Sequence, residues 1–146
     1  MDERELLQRL VDIEEIKRLK ARYFRALDTK DWDMFGQVFA IDAHMEVPEG
    51  GLSVDGREAV VQSVSSALDG VTTVHHGHMP EIEITGPGTA RGIWAMFDYV
   101  DFPAVEGRDR FAFQGYGHYT EDYIREDGTW RIARLELSRL RVDPLT

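Results

Sequence analysis

The chain has 146 residues, with 27 Asp+Glu against 17 Lys+Arg and a formal charge of -10. That surplus repels phosphate backbones, and the basic residues form no stripe interleaved with aromatics, so the sequence argues against nucleic acid as a partner. Cysteine is absent, which removes disulfides, thiolate metal sites and a cysteine nucleophile together. An apolar fraction of 42% beside 30% charged residues suits one globular domain over residues 1–146 with a core and room for a pocket. The opening MDERELLQRL has no signal-type apolar stretch, and no run approaches about 18 apolar residues. A cytoplasmic protein without a membrane partner is the expectation.

From Glu3 to Leu27, residues Leu6, Leu10, Ile13, Ile16, Tyr23, Phe24 and Leu27 recur at three- and four-residue intervals among charges, which predicts a long amphipathic helix. Asp28-Thr29-Lys30-Asp31 then supplies capping side chains for a short second helix carrying Trp32, Met34, Phe35, Val38 and Phe39. His44-Met45-Glu46-Val47 alternates and is stopped by Pro48, as an edge strand would be. Arg57 to Leu68 puts Ala59, Val60, Val64, Ala67 and Leu68 near one face and ends before Gly70, predicting a third helix.

The second half is β-rich. Thr73–Thr85, Ala90–Asp101, Arg110–Glu126 and Thr129–Val142 are separated by the turn segments Gly86-Pro87-Gly88, Pro103 to Gly107 and Asp127-Gly128. Helices followed by an antiparallel sheet is the α+β pattern.

Three segments in this order, IKRLKARYFRALDTKDWDMFGQVFAIDAHME, TVHHGHMPEIEITGPGTARG and GYGHYTEDYIREDGTWRIARLEL, resemble the nuclear transport factor 2-like (NTF2-like) superfamily, and within it the SnoaL-like polyketide cyclase and dehydratase group. The resemblance implies a cone, with the N-terminal helices packed in a strongly curved, mostly antiparallel sheet that encloses a small apolar ligand. Closest in layout are the bile-acid 7α-dehydratase-like and scytalone dehydratase-like members. Their pockets use a Tyr and an Asp from the first helix region, a His and an Asp from the sheet, and sometimes an Arg. Those positions fall on Tyr23, Asp28, His76, Asp98 and Arg139.

Read residue by residue, each has a structural and a chemical reading. Tyr23 is either a core tyrosine or a hydroxyl donor to a substrate carbonyl oxygen. Asp28 either caps the second helix or orients a histidine. Without a bulge, Val74, His76, His78, Ile82 and Ile84 share one strand face and His75, Glu81 and Glu83 the other, so His76 is the interior histidine and His78 its reserve. One extra residue near Gly77 would exchange the faces. Asp98 shares a face with Trp94 and Met96. It either opens the next loop or enters the pocket as partner to the histidine, fixing its tautomer and raising its basicity. Trp94, Met96, His78, His118 and Arg139 are the candidate substrate contacts. His76 and His78 with Asp98 could imitate a two-His, one-carboxylate metal site, but no fixed ligand set is visible, and neither metal nor cofactor is expected.

The expected function is a cofactor-independent lyase or isomerase that removes a proton beside a carbonyl in a small hydroxy-carbonyl compound of steroid, polyketide or aromatic type. His76 would be the base and Asp98 its orienter. The alternative is a non-catalytic binding or assembly module on the same fold. A homodimer through the outer sheet face is expected, because Trp94, Phe97, Tyr99, Phe111, Phe113, Tyr116, Tyr119 and Tyr123 exceed what one cone lining uses.

Overall fold

The sequence builds three helices and six strands, and the computed structural model describes residues 1–146. The helices are α1 (Glu3–Thr29), α2 (Trp32–Gln37) and α3 (Arg57–Leu68). The strands are β1 (Phe39–Val47), β2 (Leu52–Asp55), β3 (Thr72–Gly86), β4 (Thr89–Phe102), β5 (Phe111–Glu126) and β6 (Thr129–Pro144). Asp2 caps α1 by accepting from the Glu5 amide at 2.8 Å, and Glu3 and Glu5 suit the positive end of the helix dipole. The helix stops where Lys30 turns left-handed at φ 61 and its N–H returns to the carbonyls of Ala26 and Leu27. Asp31 caps α2 by accepting from Met34 N, so α2 has its own cap and Asp28 is free for another task.

The sheet runs β2-β1-β6-β5-β4-β3. Its one parallel pair is β1 with β6, and the other neighbours are antiparallel, so the sheet is mixed. The expected edge strand at His44–Val47 proves longer and internal. It lies between β6 and the short β2, a strand the sequence reading did not anticipate.

Three irregularities bend the long hairpins into a cone. In β3, Met79 and Pro80 together face one residue of β4, because His78 pairs with Ala95 and Glu81 with Ile93. In β6, Ala133 is extra between the partners of Tyr123 and Asp122, and Leu140 is extra between those of Gly117 and Tyr116. A bulge locally increases twist and bends its strand.

α1 lies inside the curve. From Asp12 onward it buries Ile16, Leu19, Tyr23, Ala26 and Leu27 in a core shared with Phe35, Phe39, Tyr119, Tyr123, Trp130 and Ile132. Its first three turns project beyond the sheet, leaving Leu6, Leu7, Leu10 and Val11 exposed. No helix is long and apolar enough to cross a membrane.

The same buried side of α1 carries Lys20, 0% exposed, with Nζ 2.6 Å from Glu121 Oε2 on β5 and 3.7 Å from the ring centres of both Tyr23 and Tyr119. Glu121 also accepts from the Tyr123 hydroxyl at 2.6 Å, which in turn accepts from the Trp94 indole at 2.8 Å. Desolvation pushes Lys20 down to about 8, against the pull of Glu121. Removing one partner of such a pair strands the other charge. Lys20→Met is therefore expected to lower unfolding stability by about 3–5 kcal/mol, and Lys20→Met/Glu121→Leu to recover most of it. Urea unfolding checks this, and equal losses in single and double variants would contradict it.

Candidate active site

A cavity of about 340 Å³ occupies the cone between α1, α3 and the sheet, with 14 of its 19 lining residues apolar. Leu27, Met45, Val64, Leu135 and Leu137 supply apolar walls, and Tyr23, Ser63, His75, Asp98, Tyr119 and Arg139 are the polar or polar-tipped lining groups. A second hollow, over Glu81, Glu83, Arg91 and Asp122, has a mostly polar lining and contains none of these groups.

The histidine inside is His75, not His76. Thr73 and His75 are buried, whereas His76 and His78 are exposed and their rings lean on one another at 5.8 Å between centres. The physical reason is the bulge at Met79-Pro80. Ile82 and Ile84 turn partly inward as expected, but the extra residue between them and the histidines exchanges the faces upstream. Met79 adopts φ 40, in the left-handed region unusual for its type.

Asp28, one residue from the end of α1, reaches across to β3. Its Oδ2 accepts from the His75 amide at 2.8 Å, and its Oδ1 takes the Thr73 hydroxyl at 2.9 Å and meets His75 Nδ1 at 2.7 Å. Burial alone would push this carboxyl up. The hydrogen bonds from the His75 ring and amide, the His75 charge and the Thr73 hydroxyl together outweigh it and hold Asp28 below its ordinary value. An ionised carboxylate only accepts, so Nδ1 carries a hydrogen and Nε2 of a neutral ring keeps its lone pair. Nε2 has no hydrogen bond; Asp98 Oδ2, its nearest carboxylate oxygen, stands 3.9 Å away.

Asp98 pairs with His75 in strand register and is 1% exposed, but it serves Arg139 rather than the histidine. Arg139 Nη1 and Nη2 donate to its two oxygens at 2.8 and 2.7 Å, a bidentate clamp that raises the guanidinium's own ionisation above the usual range. Space for the clamp comes from Gly115, where a Cβ would collide with both the Arg139 guanidinium and the Asp98 carboxylate. The Arg139 amide donates to Glu49 at the cavity rim, 2.9 Å away. The orienting role expected of Asp98 thus passes to Asp28, because Asp28 alone is within hydrogen-bond distance of the imidazole.

Tyr23 lines the cavity as expected, with its ring against Phe35, Phe39 and Tyr119. Burial, and then the charge of Glu121, raises its phenol far above the ordinary value, so it remains a neutral donor. Trp94 and Met96 do point inward, but they are packed into the core and do not line the cavity. His78 and His118 are not at the site either: His78 is exposed, and His118 pairs with exposed Ala95 and Ser138 on the outer face. With the two histidines outside and Asp98 inside, the considered two-His, one-carboxylate set does not converge, and no three His, Asp or Glu side chains cluster as metal ligands.

The sequence reading missed His75 as the interior histidine and Tyr119 as a cavity wall. The signal for His75 was Pro80, since proline inside a strand marks an edge or a bulge. For Tyr119 it was the two-residue period of β5, which sets Tyr119, Glu121 and Tyr123 on one buried face. Trp94, Tyr119 and Tyr123 accordingly leave the outer-face aromatic set expected from sequence.

A family model described as the SnoaL-like domain matches residues 8–136. Among solved structures, a type 2 hexachlorocyclohexane dehydrochlorinase, LinA, is 22% identical, with 96% of this chain and 93% of that chain covered and a TM-score of 0.84. A scytalone dehydratase candidate from Novosphingobium aromaticivorans is 20% identical over 92% of this chain and 87% of its own, with a TM-score of 0.80. Rv3472 of Mycobacterium tuberculosis, of unknown function, is 26% identical over 93% and 76%, with a TM-score of 0.75. These likenesses establish the cone fold.

The lowered Asp28 ionisation has a stability consequence. The group is ionised in the folded chain below the pH at which it protonates unfolded, so its contribution is complete above about 3.8 and is lost as pH falls through the lower folded value. Asp28→Asn should flatten the dependence of stability on pH below 3.8. Thermal unfolding across acidic buffers reads this directly, and an unchanged acid slope would contradict it.

Proposed function

The chain belongs to the SnoaL-like domain family, and we propose that it is a cofactor-independent lyase or isomerase that removes a proton beside the carbonyl of a small hydrophobic hydroxy-carbonyl compound. The observation that carries this reading is His75, tied at Nδ1 to an ionised Asp28 while Nε2 is left without a hydrogen bond in a largely apolar cavity. A base needs a free lone pair, a fixed tautomer and a neighbour that favours its protonated form. Asp28 supplies the last two.

In a β-hydroxy carbonyl substrate, His75 Nε2 takes the proton from the carbon beside the carbonyl, and that C–H electron pair moves onto the carbonyl oxygen as an enolate. The Tyr23 hydroxyl donates to the developing oxyanion. When the enolate collapses, the bond to the β-hydroxyl breaks, and the imidazolium returns its proton so that hydroxide leaves as water. The products are an unsaturated carbonyl compound and water, with His75 neutral again. Returning the proton to a different carbon, without loss of hydroxide, gives the isomerase variant. The Asp98–Arg139 pair enters the cavity nearly neutral and sets a polar end to an otherwise apolar space, which suits a steroid-, polyketide- or aromatic-like substrate with oxygen at one end. No step requires a metal or an organic cofactor.

The competing role, a ligand-binding or assembly module without turnover, differs in one measurable respect: it moves no protons. The test is a panel of hydrophobic β-hydroxy carbonyl compounds in D2O, followed by NMR for deuterium beside the carbonyl and for loss of water. On a responding compound, His75→Ala should slow the chemical step by about 10²- to 10⁴-fold. Asp28→Asn should cost less and be non-additive with it, since an orienter has no work once the base is gone. His76→Ala should stay near wild type. Binding of the panel without exchange would favour the module, and loss on His76→Ala with normal rates in His75→Ala would return the chemistry to the outer face.

The homodimer through the outer sheet face belongs to the same proposal. Phe97 packs at a tilt between His76 and Tyr116, 5.8 and 5.6 Å between ring centres, on that face. Beside them, the bulged Leu140 is 77% exposed. Burying this patch is the expected driving force. Sedimentation at micromolar concentration is expected to give twice the mass of one chain, and a Leu140→Lys/Phe97→Lys variant to give the single mass. A single-chain mass for the unmodified protein would refute the dimer.

A further inference from the structure

Every carboxylate around the cavity floor is already matched. Glu121 is on Lys20 and Tyr123, Asp98 is on Arg139, and Asp28 is on Thr73 and His75. Only two buried side-chain polar atoms in the whole chain have no hydrogen-bond partner, and one of them is the Tyr119 hydroxyl. Tyr119 lines the cavity and is 1% exposed. A buried donor left unpaired costs roughly 1–3 kcal/mol, and folded proteins keep few of them, so an orphan at a cavity wall points to a partner that arrives from outside.

The surroundings of Tyr119 fix what that partner must be. Its ring is held against the Lys20 ammonium, 3.7 Å from ring centre to Nζ, and the Tyr23 ring meets the same ammonium at 3.7 Å. The two phenol rings stand edge to face at 6.0 Å, and Tyr119 also packs on Phe24 at 5.8 Å. Burial raises the Tyr119 hydroxyl well above its ordinary value, followed by the charges of Tyr23, Asp98 and Glu121, so it stays protonated and donates. Tyr23, Tyr119 and Asp98 all line the same cavity. Two neutral O–H groups in a largely apolar wall, with the Lys20 charge beside them already balanced by Glu121, favour a ligand that presents one strong acceptor oxygen and is otherwise hydrophobic.

We propose that Tyr119 is a second substrate-touching donor, which with Tyr23 makes a two-hydroxyl seat for one oxyanion, such as the enolate oxygen of a hydrophobic carbonyl compound or a phenolate of similar size. This assignment rests on the proton-abstraction reading for its place in turnover, but not for its binding chemistry. It also gives polarity to the site: the carbonyl oxygen sits at the tyrosine wall, so the carbon losing its proton is presented toward His75 Nε2.

The test uses binding, so it stands whether or not turnover is found. 2-Naphthol and naphthalene share a ring system and differ by the single hydroxyl, and each can be titrated into the protein by fluorescence. Wild type should prefer 2-naphthol over naphthalene. Tyr119→Phe should lose about 10-fold of the affinity for 2-naphthol, the scale of one hydrogen bond to a charged or strongly polarised oxygen, with naphthalene unchanged. Tyr23→Phe should act in the same direction, and His75→Ala should keep the preference. Because the Tyr119 hydroxyl has no partner in the protein, Tyr119→Phe should unfold in urea at the same midpoint as wild type or a higher one. Equal affinity of Tyr119→Phe and wild type for 2-naphthol would overturn the seat, as would equal losses for both probes, which would make Tyr119 a packing residue. A retained preference in a protein that exchanges no proton in any panel compound would keep the seat and remove the lyase reading.

Discussion

The α1 helix lies inside a curved sheet with three ionisable side chains, Asp12, Lys20 and Asp28, buried or half-buried along its length, and each has to find its counterpart on a strand. Successive members are eight residues apart, about 12 Å along the helix. Asp12 takes Arg125 at 2.5 Å and the Trp130 indole at 3.2 Å from the last hairpin, Lys20 takes Glu121 from the middle of β5, and Asp28 takes Thr73 and His75 from β3. Apolar packing would allow a helix to slide or rotate in a smooth cone at modest cost. Two ion pairs and one carboxylate hydrogen-bonded to Thr73 and His75, on three different parts of the sheet, do not, because any slip leaves buried charges unmatched. The axial position of α1 is thereby fixed at both ends, and with it the reach of Asp28.

Because that reach is fixed, the two carboxylates of the cavity acquire different duties. Asp28 arrives from the helix side, meets the His75 amide and ring together, and so controls both the backbone and the imidazole of one residue. Asp98 arrives from the sheet, where Gly115 leaves room for a planar guanidinium to lie flat against it. One carboxylate positions a base and the other neutralises an arginine. Any side chain at Gly115 would occupy the place of the guanidinium and break the clamp, so the division of labour is written into a glycine as much as into the acids. Burying Asp98 without Arg139 would also leave an uncompensated charge beside the free Nε2 of His75.

The helices and hairpins were legible in the sequence because their signals are local: apolar spacing in α1, the capping run Asp28-Thr29-Lys30-Asp31 before α2, and Asp127-Gly128 between β5 and β6. The identities of Tyr23, Asp28, Asp98 and Arg139 as cavity or near-cavity residues were legible through resemblance, although which acid serves which partner was not. The face of β3 depended on the count of residues between His78 and Ile82. A period of two carries no memory across a bulge, so inward-facing isoleucines could not report on the histidines upstream. The parallel pairing of β1 with β6 was also out of reach, since it joins segments about ninety residues apart with no turn between them to announce it.

Lys20 completes the spacing Ile13, Ile16, Lys20, Tyr23 and Leu27 on the buried stripe of α1, unlike its exposed neighbours Lys17 and Arg18, but the stripe alone does not say what a charge does there. Its meaning comes from Glu121, a hundred residues away, and from two tyrosines that close around it. Desolvating an ammonium and a carboxylate is costly, and an apolar pair of similar volume would fill the space at less expense. What an apolar pair would not supply is a fixed positive charge behind the Tyr23 and Tyr119 rings, or an acceptor that holds Tyr123 and, through it, Trp94. The floor of the cavity is thus a rigid polar stack enclosed by hydrocarbon. Such a stack has its donors oriented before any ligand enters, so an oxygen that gains charge during a reaction meets hydroxyls that need not turn to receive it.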